Sequence, residues 1–151
     1  MNEGDPLPRV TVETADGALS LIDLAGTPAV IYFYPKDDTP GCTREALDFS
    51  ALADAFAQAG TAVIGISKDS TDKHAKFATK HGLTVRLASD IDGAACEAFG
   101  VWGEKQLYGK TYMGIERATF LFGADGRLVR AWRKVKVPGH AEAVLDAARA
   151  L

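Results

Sequence analysis

The sequence predicts an α/β fold in which a mixed β-sheet lies between helices. Apolar runs of strand length alternate with amphipathic segments of helical length along the whole chain. Crossover segments separate the strands of the first half, whereas a tight-turn signature joins two strands near the end, so both parallel and antiparallel pairs are expected. No repeat or linker interrupts the pattern, and 151 residues with 47% hydrophobic content suit a single domain over 1–151.

The first half is predicted to contain a β-hairpin followed by two strand–helix units. Its continuous apolar runs suit central strands that are covered on both faces. Turn and breaker residues delimit the elements: Asp16-Gly17 within the hairpin, Pro35 after the central strand, and Gly60 and Gly82 after the helices. In chain order we expect strands over 9–13, 18–21 and 29–34, a helix over 43–59, a strand over 62–66 and a helix capped by Ser70 and running to 81.

The second half is predicted to end the sheet with a hairpin and to close with a helix. In chain order we expect a short strand over 85–88, a short helix holding Cys96, an irregular loop over 102–116, strands over 118–122 and 127–133 joined by the 124–126 turn, and an amphipathic helix around 141–148. Early crossovers with a late hairpin favour a thioredoxin-like layered fold with an N-terminal β-hairpin over an all-parallel doubly wound sheet.

Charge and composition exclude several classes of function. A net charge of -3 with scattered basic residues gives no surface suited to nucleic acid or to an anionic membrane. The start of the chain is acidic and polar, no apolar run reaches membrane-spanning length, and we therefore expect a cytoplasmic protein. Two cysteines without a CxxC motif and three scattered histidines predict neither a disulfide scaffold nor a metal site, and no cofactor is called for.

Cys42 lies where a buried strand gives way, through a proline-bracketed loop, to a helix. The free N–H groups and the dipole of a helix N-terminus favour a thiolate, which is the nucleophilic form of cysteine. We therefore expect Cys42 to be the more acidic of the two cysteines. Pro35 and Pro40 restrict the loop, and the Thr39 hydroxyl is placed to hydrogen-bond the thiolate or a peroxide oxygen. On position alone, an inert buried cysteine remains an alternative.

The segment Phe33-Tyr34-Pro35 followed by Thr39-Pro40-Gly41-Cys42-Thr43 resembles the active-site signature of peroxiredoxins of the bacterioferritin comigratory protein or peroxiredoxin Q type. The resemblance covers nearly the whole chain, with further matches at 4–5, 16–17, 108–110, 114–120 and 135–140. It implies a peroxidase that reduces hydrogen peroxide or organic hydroperoxides with Cys42 as the peroxidatic residue. Thr39 and Pro40 would shape the pocket, and Arg117 would stabilise the thiolate and the developing charge. Without the resemblance, Arg117 would be interpreted as a solvated surface charge.

The resemblance leaves the second half of the catalytic cycle open. A sulfenic acid must be captured by another thiol before it is oxidised further. Many relatives carry that thiol five residues after the peroxidatic one, where Leu47 stands here, and others in the next helix, 70–81, which has no cysteine. Cys96 has small apolar neighbours that favour a structural role, and a 42–96 disulfide would need Cα atoms within about 7 Å. We expect a one-cysteine cycle in which thioredoxin, glutaredoxin or a small thiol reduces the sulfenic acid. We expect a monomer, with a dimer as the alternative.

Other residues and other functions are weaker candidates. A thiol–disulfide oxidoreductase would ordinarily need two nearby cysteines, and a peroxide sensor with little turnover remains an alternative. His74 and His81, on one predicted helix, are assigned no catalytic role. Four aromatic residues could wall a substrate pocket, although scattered aromatics more often belong to the core: Phe33, Trp102, Tyr108 and Tyr112.

Overall fold

Nine strands and five helices make up the computed structural model, which describes residues 1–151. The strands are β1 (Thr11–Thr14), β2 (Gly17–Ser20), β3 (Ala29–Phe33), β4 (Ala62–Ser67), β5 (Arg86–Ser89), β6 (Trp102–Leu107), β7 (Lys110–Ile115), β8 (Ala118–Phe122) and β9 (Leu128–Trp132). The helices are α1 (Pro40–Ala51), α2 (Ala53–Gln58), α3 (Thr71–His81), α4 (Ala94–Ala98) and α5 (His140–Arg149), with a 3₁₀ turn at Leu21–Leu24. None of the helices is long and apolar enough to cross a membrane.

Seven of the strands form one mixed sheet in the order β2-β1-β5-β4-β3-β8-β9. The three central strands β5, β4 and β3 are parallel, as their crossover helices require. The N-terminal hairpin adds to one edge, with β1 antiparallel to β5, and the β8–β9 hairpin adds to the other, with β8 antiparallel to β3. The predicted thioredoxin-like sheet with an N-terminal hairpin is therefore confirmed.

The sheet separates two apolar layers, because successive side chains of a strand point to opposite faces. Tyr32 of β3 lies in one layer with buried residues of α1, α2, α3 and α5, among them Phe49. Phe33 lies in the other layer, together with Cys96 of α4 and with Phe99, which directly follows α4. Each large side chain buried in this way stabilises the fold by about 2 kcal/mol. The two cysteines of the chain therefore fall in different layers, since Cys42 belongs to the Tyr32 layer.

The predicted helix over 70–81 is confirmed with both of its boundaries. The Ser70 side chain caps α3 by accepting a hydrogen bond of 3.2 Å from the Lys73 N–H. Gly82 follows the helix in the left-handed conformation, with φ of 63°, which a side chain would make costly.

The single helix predicted over 43–59 is wrong. The helix begins three residues earlier, at Pro40, and it is interrupted at Leu52, whose φ of -97° and ψ of 8° leave the helical region. Neither glycine nor proline marks the interruption, so the alanine-rich sequence gave no sign of it. The bend lets α2 follow the sheet and pack against β4 while Leu52 itself packs into the apolar layer.

The irregular loop predicted over 102–116 is also wrong, because this segment forms the antiparallel pair β6 and β7. Tyr108 and Gly109 make the turn with positive φ values of 51° and 76°, which is typical of a type I′ hairpin. The pair stands apart from the seven-stranded sheet, and most of its side chains are exposed. Without a buried face, it lacks the alternation of apolar and polar residues by which a strand is recognised.

Candidate active site

Cys42 lies in the first turn of α1, which follows β3 after the loop over 34–39. Pro40 is the first helical residue and Thr39 is its N-cap, which places Cys42 third in the helix. Proline suits the first position because the N–H group that it lacks would have no intrahelical partner. The Cys42 side chain is buried, with 2% of the residue exposed. The positive end of the helix dipole at this position stabilises an anionic sulfur.

Arg117 approaches Cys42 from the short connection between β7 and β8. Its Nη2 donates to Cys42 Sγ at 3.4 Å, although the two residues are 75 positions apart in the chain. The sheet explains the contact, because Phe33 at the end of β3 pairs with Ala118 at the start of β8. Gly41 leaves the space for it, since a Cβ there would lie 3.0 Å from Arg117 Nη2. A permanent cation with fixed donors thus faces the thiol.

Glu45, one helical turn after Cys42, binds the other arm of Arg117. Its Oε1 accepts from Arg117 Nη1 at 2.8 Å, whereas its Oε2 is buried without a hydrogen-bond partner. Burial raises the pKa of Glu45 to about 7 even though Arg117 acts in the opposite direction. The pair fixes the orientation of the guanidinium. Sequence reasoning did not single out Glu45; the spacing of three residues on the Cys42 helix was the available signal.

The structure brings Thr39 and Pro40 beside Cys42, but it gives the Thr39 hydroxyl a backbone partner. The Thr39 Oγ1 donates to the Lys36 carbonyl oxygen at 2.8 Å and makes no hydrogen bond to the thiol or to the helix. The hydroxyl proton therefore stabilises the loop, while the lone pairs of the oxygen remain available to accept a hydrogen bond from a peroxide.

A cavity of about 480 Å³ opens between the Cys42 loop and the β6–β7 hairpin. Trp102 and Tyr112 line it, as sequence analysis allowed, together with Lys105. Burial and the nearby Arg117 lower the pKa of Lys105, whose Nζ donates to the Ile115 carbonyl oxygen. The other two aromatic candidates are placed elsewhere: Phe33 lies in the opposite apolar layer, and Tyr108 is exposed at the hairpin turn.

Cys96 is the third residue of α4 and is fully buried in the apolar layer on the other face of the sheet. Its backbone N–H donates to Asp90 Oδ2 at 2.8 Å. Burial, reinforced by the Asp90 carboxylate, raises the pKa of the Cys96 thiol well above its ordinary value. Both thiols are free in this structure. The central sheet lies between them.

His140 lies close to the Cys42 face but takes part in a neutral contact. Its Nε2 is 2.7 Å from the Thr119 hydroxyl, and its ring packs against Phe49 and Trp132. Burial, and to a smaller extent the charge of Arg117, lowers the pKa of His140 to about 4. At neutral pH the ring is uncharged and adds no cation to the site.

Comparison with known proteins places this geometry in a family. The AhpC/TSA family matches residues 4–131. Among curated relatives, Peroxiredoxin Bcp of Xanthomonas campestris is 56% identical over 126 residues, which cover 83% of this chain and 79% of the relative. Peroxiredoxin Bcp of Bacillus subtilis is 49% identical over 128 residues, covering 85% of this chain and 82% of the relative.

Solved structures agree with the sequence relatives. The bacterioferritin comigratory protein of Xanthomonas campestris, studied as trapped intermediate and ligand complexes for its alkyl peroxide reduction activity, superposes with a TM-score of 0.90 at 47% identity, over 99% of this chain and 98% of that one. A cysteine-to-serine mutant of Xylella fastidiosa PrxQ superposes with a TM-score of 0.93 at 44% identity, over 99% and 96% of the two chains. The chain belongs to the AhpC/TSA family and, within it, to the thiol-dependent peroxidases of the peroxiredoxin Bcp or peroxiredoxin Q type.

Proposed function

We propose that this peroxiredoxin reduces hydrogen peroxide and organic hydroperoxides with Cys42 as its only redox-active cysteine. The observation that carries the proposal is the contrast between the two thiols. Cys42 receives a hydrogen bond of 3.4 Å from Arg117, whereas the buried Cys96 lies across the sheet beside a carboxylate. The alkyl peroxide reduction activity of the Xanthomonas campestris relative supports organic hydroperoxides as substrates.

The peroxidatic step is a nucleophilic displacement at oxygen. The Cys42 thiolate attacks one peroxide oxygen, a sulfur–oxygen bond forms, and the oxygen–oxygen bond breaks. Sulfur is oxidised to the sulfenic acid, and the peroxide is reduced to water or an alcohol once the leaving oxygen takes up a proton. Negative charge moves from sulfur to the leaving oxygen during this step. Arg117 lies against the sulfur and can stabilise the charge at both ends of this path.

Glu45, Thr39 and Pro40 hold the reacting groups of the site in place. The ion pair with Glu45 holds the Arg117 guanidinium in place, so that no reorganisation is needed as the charge moves. Thr39 is the N-cap residue of α1, and its oxygen lone pairs can accept a hydrogen bond from the O–H group of a bound hydroperoxide. Pro40 fixes the first turn of the helix that carries Cys42.

The sulfenic acid is then reduced by a thiol from outside the chain. One external thiol condenses with the Cys42 sulfenic acid, releasing water and forming a mixed disulfide, and a second thiol frees Cys42 as the external disulfide forms. Thioredoxin, glutaredoxin and small thiols all supply this chemistry. Its raised pKa argues against Cys96 as the resolving residue, because the thiolate is the attacking form, and so does its place in the other apolar layer. A monomeric, cytoplasmic enzyme is part of the same proposal.

Steady-state peroxide consumption with matched cysteine variants tests this function. With excess dithiothreitol or reduced thioredoxin, the native enzyme and Cys96→Ser should both consume many equivalents of peroxide, and Cys42→Ser should consume none above background. Circular dichroism confirms that each variant is folded. Undiminished turnover by Cys42→Ser would refute the mechanism, and a loss of several orders of magnitude in folded Cys96→Ser would make Cys96 the resolving residue. Consumption that stops at one equivalent would indicate a sensor.

A further inference from the structure

Four buried or nearly buried polar residues attach the loop before Cys42 to α3. We call Tyr34, Asp37, Asp69 and His74 the Asp37 cluster. Tyr34 and Asp37 belong to the loop between β3 and α1, Asp69 follows β4, and His74 lies on α3. Asp37 is 8% exposed and His74 is 5% exposed. None of the proposed peroxidatic roles uses these side chains.

Both carboxylate oxygens of Asp37 are engaged. Its Oδ1 accepts from the Tyr34 hydroxyl at 2.6 Å, and its Oδ2 lies 2.6 Å from His74 Nδ1. The Asp37 backbone N–H donates to Asp69 Oδ2 at 2.8 Å. Burial raises the pKa of Tyr34, so this hydroxyl keeps the proton that it donates. Main chain and side chain of Asp37 are therefore both fixed by partners.

Each ring nitrogen of His74 makes a hydrogen bond. Its Nε2 is 3.0 Å from the carbonyl oxygen of Ala88, which can only accept, so Nε2 carries a proton. The contact of 2.6 Å between Nδ1 and Asp37 Oδ2 is a second hydrogen bond, made to a buried carboxyl group. The ring thus links the loop to β5. Removing either member leaves the other without its partner in a largely buried site, which is costly.

This anchoring holds a strained loop in place. Asp38, the next residue, has a φ of 59°, a left-handed conformation that costs a non-glycine residue about 1 kcal/mol. The Asp38 carboxylate also reaches α3, at 2.7 Å from both Lys80 Nζ and His81 Nε2. Those contacts are exposed to solvent and contribute little. The buried contact of Asp37 therefore carries most of the restraint, and Thr39 follows two residues later.

Building on the peroxidase function proposed above, we propose that His74 is a positioning residue for peroxide reduction. Through Asp37 it fixes the loop that carries Thr39 and sets the start of α1. Cys42 and Arg117 are thereby held in the arrangement that attack on the peroxide requires. His74 touches neither the thiol nor Arg117, so its effect passes through the loop, and a displacement of about 1 Å at the reacting atoms can cost 100-fold in rate.

A double-mutant cycle on Cys42 oxidation tests the proposal. The rate constant for reaction with hydrogen peroxide is measured by rapid quench and mass spectrometry for His74→Leu, Asp37→Ala and the double variant. Each single variant should react at least about 10-fold more slowly than the native enzyme, and the double variant no more slowly than the worse single one. His74→Asn, which retains a donor toward Asp37, should recover part of the rate. Alkylation of Cys42 by iodoacetamide should slow less than oxidation by peroxide, because alkylation does not depend on aligning an oxygen–oxygen bond with Arg117 and Thr39.

Phe122→Leu is the matched stability control. Phe122 is fully buried in the other apolar layer and pairs with Ala29, at the end of β3 away from the Cys42 loop. This variant should lose stability but keep the native peroxide rate at a temperature where all variants are folded. A native-like rate in folded His74→Leu, or additive losses in the double variant, would overturn the positioning role alone. A native enzyme whose Cys42 does not react would overturn the proposed function and the positioning role together.

Discussion

Cys42 and Cys96 occupy equivalent local positions but opposite electrostatic surroundings. Each is the third residue of a helix, and each is at most 2% exposed. Arg117 donates to the Cys42 sulfur, whereas the backbone N–H of Cys96 donates to the buried carboxylate of Asp90. Burial and a helix N-terminus are therefore shared, and the charged neighbour differs. The charged neighbour is what distinguishes a site for a thiolate from a site for a neutral thiol.

The caps of the two helices reinforce the contrast. Asp90 occupies the N-terminus of α4, where Oδ1 accepts from the Ala95 N–H at 3.0 Å and Oδ2 from the Cys96 N–H at 2.8 Å. The dipole of that helix is thus already compensated by a carboxylate. At α1 the Thr39 hydroxyl points to the Lys36 carbonyl and does not cap the helix. Its N-terminus remains free to stabilise an anion at Cys42.

Arg117→Met should have the largest effect on the Cys42 site, because it removes the cation and leaves a side chain of similar length. We expect the rate constant for Cys42 oxidation by hydrogen peroxide to fall by between about 100- and 1,000-fold. Stopped-flow or rapid-quench kinetics measure the change, and Arg133→Met, at an exposed arginine paired with Glu116, is the control. A folded Arg117→Met enzyme with the native rate would show that the helix terminus alone activates the thiol.

Glu45→Gln tests the burial of a carboxyl group beside Arg117 through the pH dependence of stability. Burial raises the pKa of Glu45 from 4.5 to about 7, so the folded state binds the proton more tightly than the unfolded state does. The free energy of unfolding therefore decreases as pH rises from about 4.5 through 7, by up to about 3 kcal/mol from this group.

Urea denaturation of the native protein and of Glu45→Gln between pH 4.5 and 8 measures this term. The difference in unfolding free energy between the two proteins should shift in favour of the variant as pH increases. Glu142→Gln, at an exposed glutamate in the first turn of α5, provides the control and should follow the native profile. A constant difference across the range would contradict the raised pKa.

Local sequence predicted one half of the Cys42 site, and long-range pairing set the other half. A buried strand, a proline-bracketed loop and a helix start are consecutive in the chain, so the position of Cys42 followed from pattern. The role predicted for Arg117 depended on the resemblance to peroxiredoxins, because only the pairing of Phe33 with Ala118 brings this residue to the thiol. Neither Glu45 nor His74 was assigned a role from the sequence, because both lie on helices whose polar residues usually face solvent.

The two wrong secondary-structure predictions fall where the local pattern of apolar residues does not determine the structure. The interruption at Leu52 lies in a sequence with good helix propensity throughout, and tertiary packing overrides that propensity. The β6–β7 hairpin has no apolar face to bury, so its sequence carries no strand periodicity. Strands and helices that pack on the sheet were recognised, since burial imposes their period.

The one-cysteine cycle is tested most directly by peptide mapping of the reduced protein after it has reacted with one equivalent of hydrogen peroxide. A one-cysteine cycle predicts added oxygen confined to Cys42, with Cys96 still a free thiol. A loss of two hydrogens that maps to a link between Cys42 and Cys96 would contradict it, and would require the two apolar layers to open during the catalytic cycle.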